Sequence, residues 1–138
     1  MQAHYSVPCP PLETILESLA TMPAGTEILV AGADDIMGFA AFSSVYPGPS
    51  LGSGLFLKEL YVSASCRGKG VGKCLMQGLA RLALLRGHSR VDWTADRHNP
   101  RLLAFYDGLG GAPKPDKMFY RLDGAALAAA GAREDETI

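Results

Sequence analysis

No apolar run in this sequence approaches the roughly 18–20 residues that a membrane-crossing helix requires, so no membrane partner is expected. An excess of charge of one sign is missing too. Lys and Arg number 13, Asp and Glu 14, and the formal net charge is -1. A nucleic-acid footprint needs a basic surplus, so no nucleic acid is expected as a partner. Cysteine is scarce: Cys9, Cys66 and Cys74 form no CxxC pair and leave an odd count. That pattern suits a reduced, cytoplasmic protein and neither a disulfide scaffold nor a zinc site. His4, His88 and His98 have no ligand-like spacing, so no metal is expected. Residues 1–11 show neither the basic start nor the apolar centre of a secretion signal.

What is present is ordinary globular material. The chain has 138 residues, 48% of them hydrophobic and 20% charged, which suits one domain over 1–138 with a single core. Leu12, Ile15, Leu16 and Leu19 fall at i, i+3, i+4 and i+7, a helical stripe that Pro23 and Gly25 terminate. Residues 27–31 and 36–45 read as strands of a hairpin joined by Gly32-Ala33-Asp34-Asp35. A third strand spans 55–62. A long helix over 71–86 follows, with Val71, Leu75, Leu79, Leu82 and Ala83 on one face and Gly87 as its stop. Residues 90–95 alternate as a strand, with Val91, Trp93 and Ala95 on one side. Asn99 caps a helix with Pro100 at its first position, ending near Gly110-Gly111. Residues 118–122 read as a short last strand, and the Ala-rich 125–138 as a helical turn that frays. The order describes a mixed α/β (α+β) domain.

The most informative stretch runs from Leu60-Tyr61-Val62 through Arg67-Gly68-Lys69-Gly70-Val71-Gly72. A strand enters a glycine-rich turn, and the turn opens the longest helix. Glycines let successive backbone N–H groups converge, and the helix start adds unpaired donors and partial positive charge. Such a concavity favours a phosphate or diphosphate, with Arg67 and Lys69 adding charge-assisted contacts. A Walker A loop does not fit, because Cys74 follows Gly72-Lys73 and Arg67 stands where the first glycine belongs. The dinucleotide fingerprint also fails, since Lys73 or Leu75 takes its third glycine position, although Asp92 lies about 20 residues on. The plain alternative is a turn that only tightens a strand-to-helix connection.

Arg67-x-x-Gly70-x-Gly72 after that strand resembles the acetyl-CoA signature of the GNAT N-acetyltransferase superfamily. Asn99, Ala104-Phe105-Tyr106 and Leu109-Gly110 resemble that family's second block, in the usual order. The resemblance covers roughly residues 55–122. It implies a GNAT-like fold: a central, mostly antiparallel sheet with flanking helices, in which the parallel strands 55–62 and 90–95 splay apart. Acetyl-CoA is the implied co-substrate. Its pantetheine arm would pair near Leu60, Tyr61 and Val62, and its diphosphate would rest on Arg67, Gly68, Lys69, Gly70, Val71 and Gly72. Asn99 and Tyr106 would face the cofactor.

The implied reaction is acetyl transfer to a primary amine of a small molecule or peptide, for which several groups are candidates. Tyr106 is placed as general acid, since a phenol with a reference pKa of about 10 is protonated at neutral pH. The alternative is a Tyr106 that only packs beside Phe105. Glu59 is the candidate base, directly or through water, and simple alternation puts it on the face opposite Lys58 and Leu60. In polyamine acetyltransferases, which the segment resembles, an acidic residue tends to stand at the Lys58 position, so a polyamine acceptor is disfavoured. Asp92 and Asp96 border the site or are plain surface carboxylates, and Cys66 and Cys74 flank the loop as inert fillers or otherwise. The segment before the hairpin is short for this family, which leaves the acceptor site open or completed by a second subunit of a homodimer. A non-catalytic acyl-CoA-binding module and a nucleotide binder are the competing functions.

Overall fold

The computed structural model describes residues 11–32 and 34–132. Residues 1–10, with His4 and Cys9, Ala33 and the tail from residue 133 onward lie outside the described residues. The chain separates into two units, Met1–Leu103 and Ala104–Ile138.

The first unit begins with α1 (Leu12–Ala20) and the hairpin β1 (Thr26–Ala31) and β2 (Gly38–Val45). The hairpin register runs from Thr26↔Ser43 to Ala31↔Gly38, and Met37 N–H donates to the Ala31 carbonyl at 2.8 Å to close it. Gly32 has φ +127°, and a Cβ there would run into the Asp35 carbonyl, so this turn admits only glycine. β3 (Gly54–Val62) pairs antiparallel with β2, and β4 (Val91–Trp93) pairs parallel with β3, giving the order β1-β2-β3-β4.

Two irregularities shape this sheet. Phe42 opposes Leu57 and its neighbour Ala41 opposes Glu59, so Lys58 is an extra residue, a bulge in β3. The parallel ladder holds only Leu55↔Val91, Phe56↔Asp92 and Leu57↔Trp93. Beyond Leu57, β3 continues to Val62 without β4, so the expected splay of these strands is present. The fourth strand is correspondingly shorter than the expected 90–95, because Thr94 and Ala95 have left the ladder.

The long helix α2 (Val71–Leu85) covers one sheet face. Its buried Val71, Leu75, Met76, Leu79 and Ala83 meet Ala40, Phe42, Leu55 and Leu57 from the strands. Approach is close: a Cβ on Gly78 would stand 3.2 Å from Leu29 Cδ2, and one on Gly38 3.3 Å from Leu75 Cδ1. Leu55 and Leu79 are fully buried, each contributing about 1.5–3 kcal/mol by leaving water. Leu12, Leu16 and Leu19 of α1 remain exposed, so the periodicity that forms this helix does not place its stripe in the core.

The helix α3 (Pro100–Gly108) starts in the first unit and continues into the second. In the second unit it ends at Gly110, φ +92°, where Gly111 N–H returns to the Tyr106 carbonyl at 3.1 Å. α4 (Gly124–Gly131) follows, in the Ala-rich region where a helical turn was expected. The expected strand 118–122 is not formed: this segment is irregular. Met118, Phe119, Tyr120 and Leu122 are all more than 60% exposed. Apolar, β-prone composition makes a strand only where a ladder partner and a buried face exist, and among the described residues it has neither.

Candidate functional site

β3 delivers the chain to the site. Ser63 N–H donates to the Met37 carbonyl at 2.8 Å, so Ser63 and, by alternation, Tyr61 direct their backbone groups toward β2. Leu60 and Val62 therefore direct theirs the other way, onto the edge that β4 has left. At the start of the strand the phase is reversed: Leu55 N–H points at β4 and donates to the Arg90 carbonyl at 3.0 Å. The extra residue at Lys58 makes the change. Of the three residues expected to meet pantetheine, Leu60 and Val62 direct their backbone groups to the open edge and Tyr61 directs its toward β2.

The loop comes next. A single 3₁₀ turn, Ala64–Cys66, leads to Arg67 in extended conformation. Gly68 (φ +76°) and Gly70 (φ +83°) are left-handed, and Gly70 is the N-cap of α2. A Cβ on either would meet nothing within 4 Å, so backbone conformation and not space calls for glycine there. Left-handed residues set among right-handed ones turn neighbouring N–H groups into one concavity. Cys74 N–H makes the first helical bond, to the Gly70 carbonyl at 3.0 Å. The N–H groups of Val71, Gly72 and Lys73 precede it and have no acceptor within the helix. No acidic side chain stands in this first turn and none caps it, so the helix start holds no negative charge of its own.

Arg67 Nε donates to the Val62 carbonyl at 3.2 Å, tying the loop back to the end of β3. Lys69 is exposed beside it. The Cys66 thiol is held below its ordinary pKa, chiefly by hydrogen bonds from Ser63 and Ser65, with Lys69 adding positive charge. A hollow of about 460 Å³ lies next to this loop, lined by Ala31, Gly32 and Met37 of the hairpin and by Lys69, Gly70 and Cys74. Sequence reasoning missed the hairpin's share, because only the β1–β2 register brings Gly32 and Met37 there.

Glu59 is buried, at 8% exposure, while Lys58 is exposed. Glu59 opposes Ala41 and Tyr61 opposes Phe39, which puts all four on the sheet face turned away from α2. Leu60, opposite Ala40, lies on the α2 face, as expected. The bulge interrupts alternation at Lys58, so the simple contrast between Lys58 and Glu59 does not apply there. Asn99 uses its Oδ1 to accept Leu102 N–H at 3.1 Å as a helix cap. Asp92 is paired with Arg90 Nε at 2.8 Å, and Asp96 Oδ1 accepts His98 N–H at 2.9 Å. Both carboxylates serve their own neighbours. Tyr106, in the second unit, packs its ring against Phe105 with centroids 5.3 Å apart. Among the described residues no three His, Cys, Asp or Glu side chains group as metal ligands, and no helix is long and apolar enough to cross a membrane.

The acetyltransferase (GNAT) family model matches residues 3–110. L-ornithine N5-acetyltransferase NATA1 of Arabidopsis thaliana is 30% identical over 94 residues, which is 68% of this chain and 41% of that protein. The chain thus spans well under half the length of this relative. Among solved structures, an integron cassette protein from the mobile metagenome of V. cholerae superposes with TM-score 0.84 at 30% identity, over 96% of this chain and 85% of that one. An aminoglycoside acetyltransferase from an uncultured soil metagenomic sample, in complex with sisomicin, shares the fold with TM-score 0.68 at 18% identity, over 88% and 83% of the two chains. With most of its length matched by the family model and its splayed sheet and glycine loop in place, the chain belongs to the acetyltransferase (GNAT) family.

Proposed function

We propose that this protein transfers the acetyl group of acetyl-CoA to a primary amine of a small molecule or peptide. The observation that carries the reading is the pairing of two features in one unit. The outward backbone of Leu60 and Val62 lies on an edge without a strand partner, and a left-handed glycine loop opens α2. The first suits an amide-bearing arm and the second a diphosphate. Arg67, Gly68, Lys69, Gly70, Val71 and Gly72 are the diphosphate residues in this reading, and Asn99 closes the cofactor side. The thioester supplies the activated acetyl group.

Tyr106 is the proposed general acid and Glu59 the proposed base, its buried carboxylate lying on the face away from α2. The free thiols Cys66 and Cys74 suit a reduced, cytoplasmic setting. One domain over 1–138 and a homodimer that completes the acceptor wall remain part of this reading. The ornithine and aminoglycoside relatives make small-molecule amines the first acceptors to try.

A thiol-release assay with acetyl-CoA across amines, amino acids, aminoglycosides and peptides, run beside calorimetry with CoA, tests the proposal. CoA binding with release on at least one amine supports it. CoA binding without any turnover would make the protein a carrier or regulator of acyl-CoA. Stabilisation by ATP or NAD but not by CoA would overturn the acetyl-CoA assignment and favour a nucleotide binder.

A further inference from the structure

The sheet face opposite α2 carries a second constellation. Tyr61 on β3 directly opposes Phe39 on β2, and their ring centroids are 5.7 Å apart with planes at 36°. Glu59 stands two residues before Tyr61 on the same face, opposite Ala41. Phe39 and Tyr61 are both partly exposed, as rings in contact with a ligand need to be, while the Glu59 carboxylate is buried. Lys58, exposed in the bulge, puts a positive charge next to Glu59. Without the bulge, Glu59 and Tyr61 would share a face with Leu55 and Leu57 and be covered by α2.

Resting on the acetyl-transfer reading, we propose that Phe39 and Tyr61 form the acceptor platform and that the preferred acceptor is a linear alkylamine with a single cationic end. A carboxylate beside aromatic faces attracts an ammonium group by charge and by the ring quadrupole. The rings offer flat apolar area to the methylenes behind the nitrogen, and each methylene removed from water adds binding. An aminosugar offers these rings less continuous apolar area than an alkyl chain. The positive charge of Lys58 on the same strand opposes a dication more than a monocation.

The test is a steady-state series at saturating acetyl-CoA with ethylamine, butylamine and hexylamine, set against hexamethylenediamine, glucosamine and glycinamide. The n-alkylamines have similar basicity, so a gradient among them reads contact and not reactivity. In the wild type, kcat/KM is expected to rise about two- to fourfold per added methylene. Phe39→Ala is expected to flatten that gradient and Phe39→Leu to keep part of it, with KM for acetyl-CoA the same in all three. Hexamethylenediamine is expected to be a poorer acceptor than hexylamine.

A flat chain-length profile in the wild type overturns the inference, even if Phe39→Ala fails to fold. An unchanged gradient in folded Phe39→Ala overturns it too. Turnover of glucosamine or glycinamide in preference to hexylamine sinks the platform and leaves acetyl transfer standing. CoA binding with no amine acetylated sinks both.

Discussion

Ser63 donates its amide hydrogen to the Met37 carbonyl at 2.8 Å, and this one bond sets which backbone groups of β3 face the opening beside it. Val62, one residue back, then faces outward, and its carbonyl is held by Arg67 Nε. Strand phase and loop position are thereby coupled within six residues.

Gly70→Ala places a Cβ on a residue with φ +83°. A left-handed non-glycine residue costs about 1–2 kcal/mol. No neighbour would clash with that Cβ, so the cost lies in the backbone, and any shift of φ from the left-handed region would turn the converging N–H groups. Thermal unfolding should show a small drop in stability, and calorimetry a weaker CoA affinity that exceeds it in proportion. Undiminished CoA binding in Gly70→Ala would remove the loop from diphosphate recognition.

Tyr106→Phe keeps the ring that packs on Phe105 and deletes the hydroxyl. A general acid lost from a transfer step lowers kcat by about 10²–10⁴-fold. The expected result is that loss with KM for acetyl-CoA little changed. A kcat equal to wild type with a good acceptor would leave Tyr106 as a packing residue.

Glu27 and Arg86 clasp the end of β1 to the end of α2 through two bonds of 2.6 and 2.8 Å. The Arg86 hydrogen bond holds the Glu27 carboxyl below its ordinary range. A carboxyl lowered by folding contributes stability above its unfolded pKa and loses that contribution as pH falls through its folded value. Acid titration of unfolding should therefore show a component, below the usual carboxylate range, that Arg86→Gln lacks. Both groups are exposed, so added salt should shrink the difference. Identical acid profiles of the two proteins would contradict this.

The Cys66 thiol is lowered by the Ser63 and Ser65 hydrogen bonds, so more of it is thiolate at a given pH than in an ordinary cysteine. Peptide mapping after iodoacetamide should show Cys66 alkylation saturating at a lower pH than that of a free cysteine-peptide thiol. Bound CoA should slow the modification of Cys66. A reaction profile identical to that of the free peptide thiol would count against the hydrogen-bonded geometry of this turn.

Much of this architecture was legible because it is local. The 3.6-residue repeat of Val71, Leu75 and Leu79 announces α2, and Asn99-Pro100 announces the start of α3. Arg67, Gly70 and Gly72 mark a loop whose shape depends on backbone freedom at Gly68 and Gly70. What stayed hidden depends on pairing. Nothing in Leu57-Lys58-Glu59 signals that Lys58 is unmatched, since the slip exists only against Ala41 and Phe42 across the ladder. The apolar run at Met118-Phe119-Tyr120 looked like a strand for the complementary reason: composition reports what a segment tolerates, not whether a neighbour is there. The stripe on α1 marks its helix correctly, but a helical period does not say what the helix faces.

The unmatched Lys58 divides β3 into two stretches with separate duties. Upstream, Leu55 and Leu57 serve cohesion, zipping two neighbours together over a closed interior. Downstream, Leu60 and Val62 are released from that duty, and in the proposed reaction their outward amide groups serve a guest. Damage to the first stretch should register as a melting defect, and damage to the second as a lost appetite for ligand in an otherwise sound molecule.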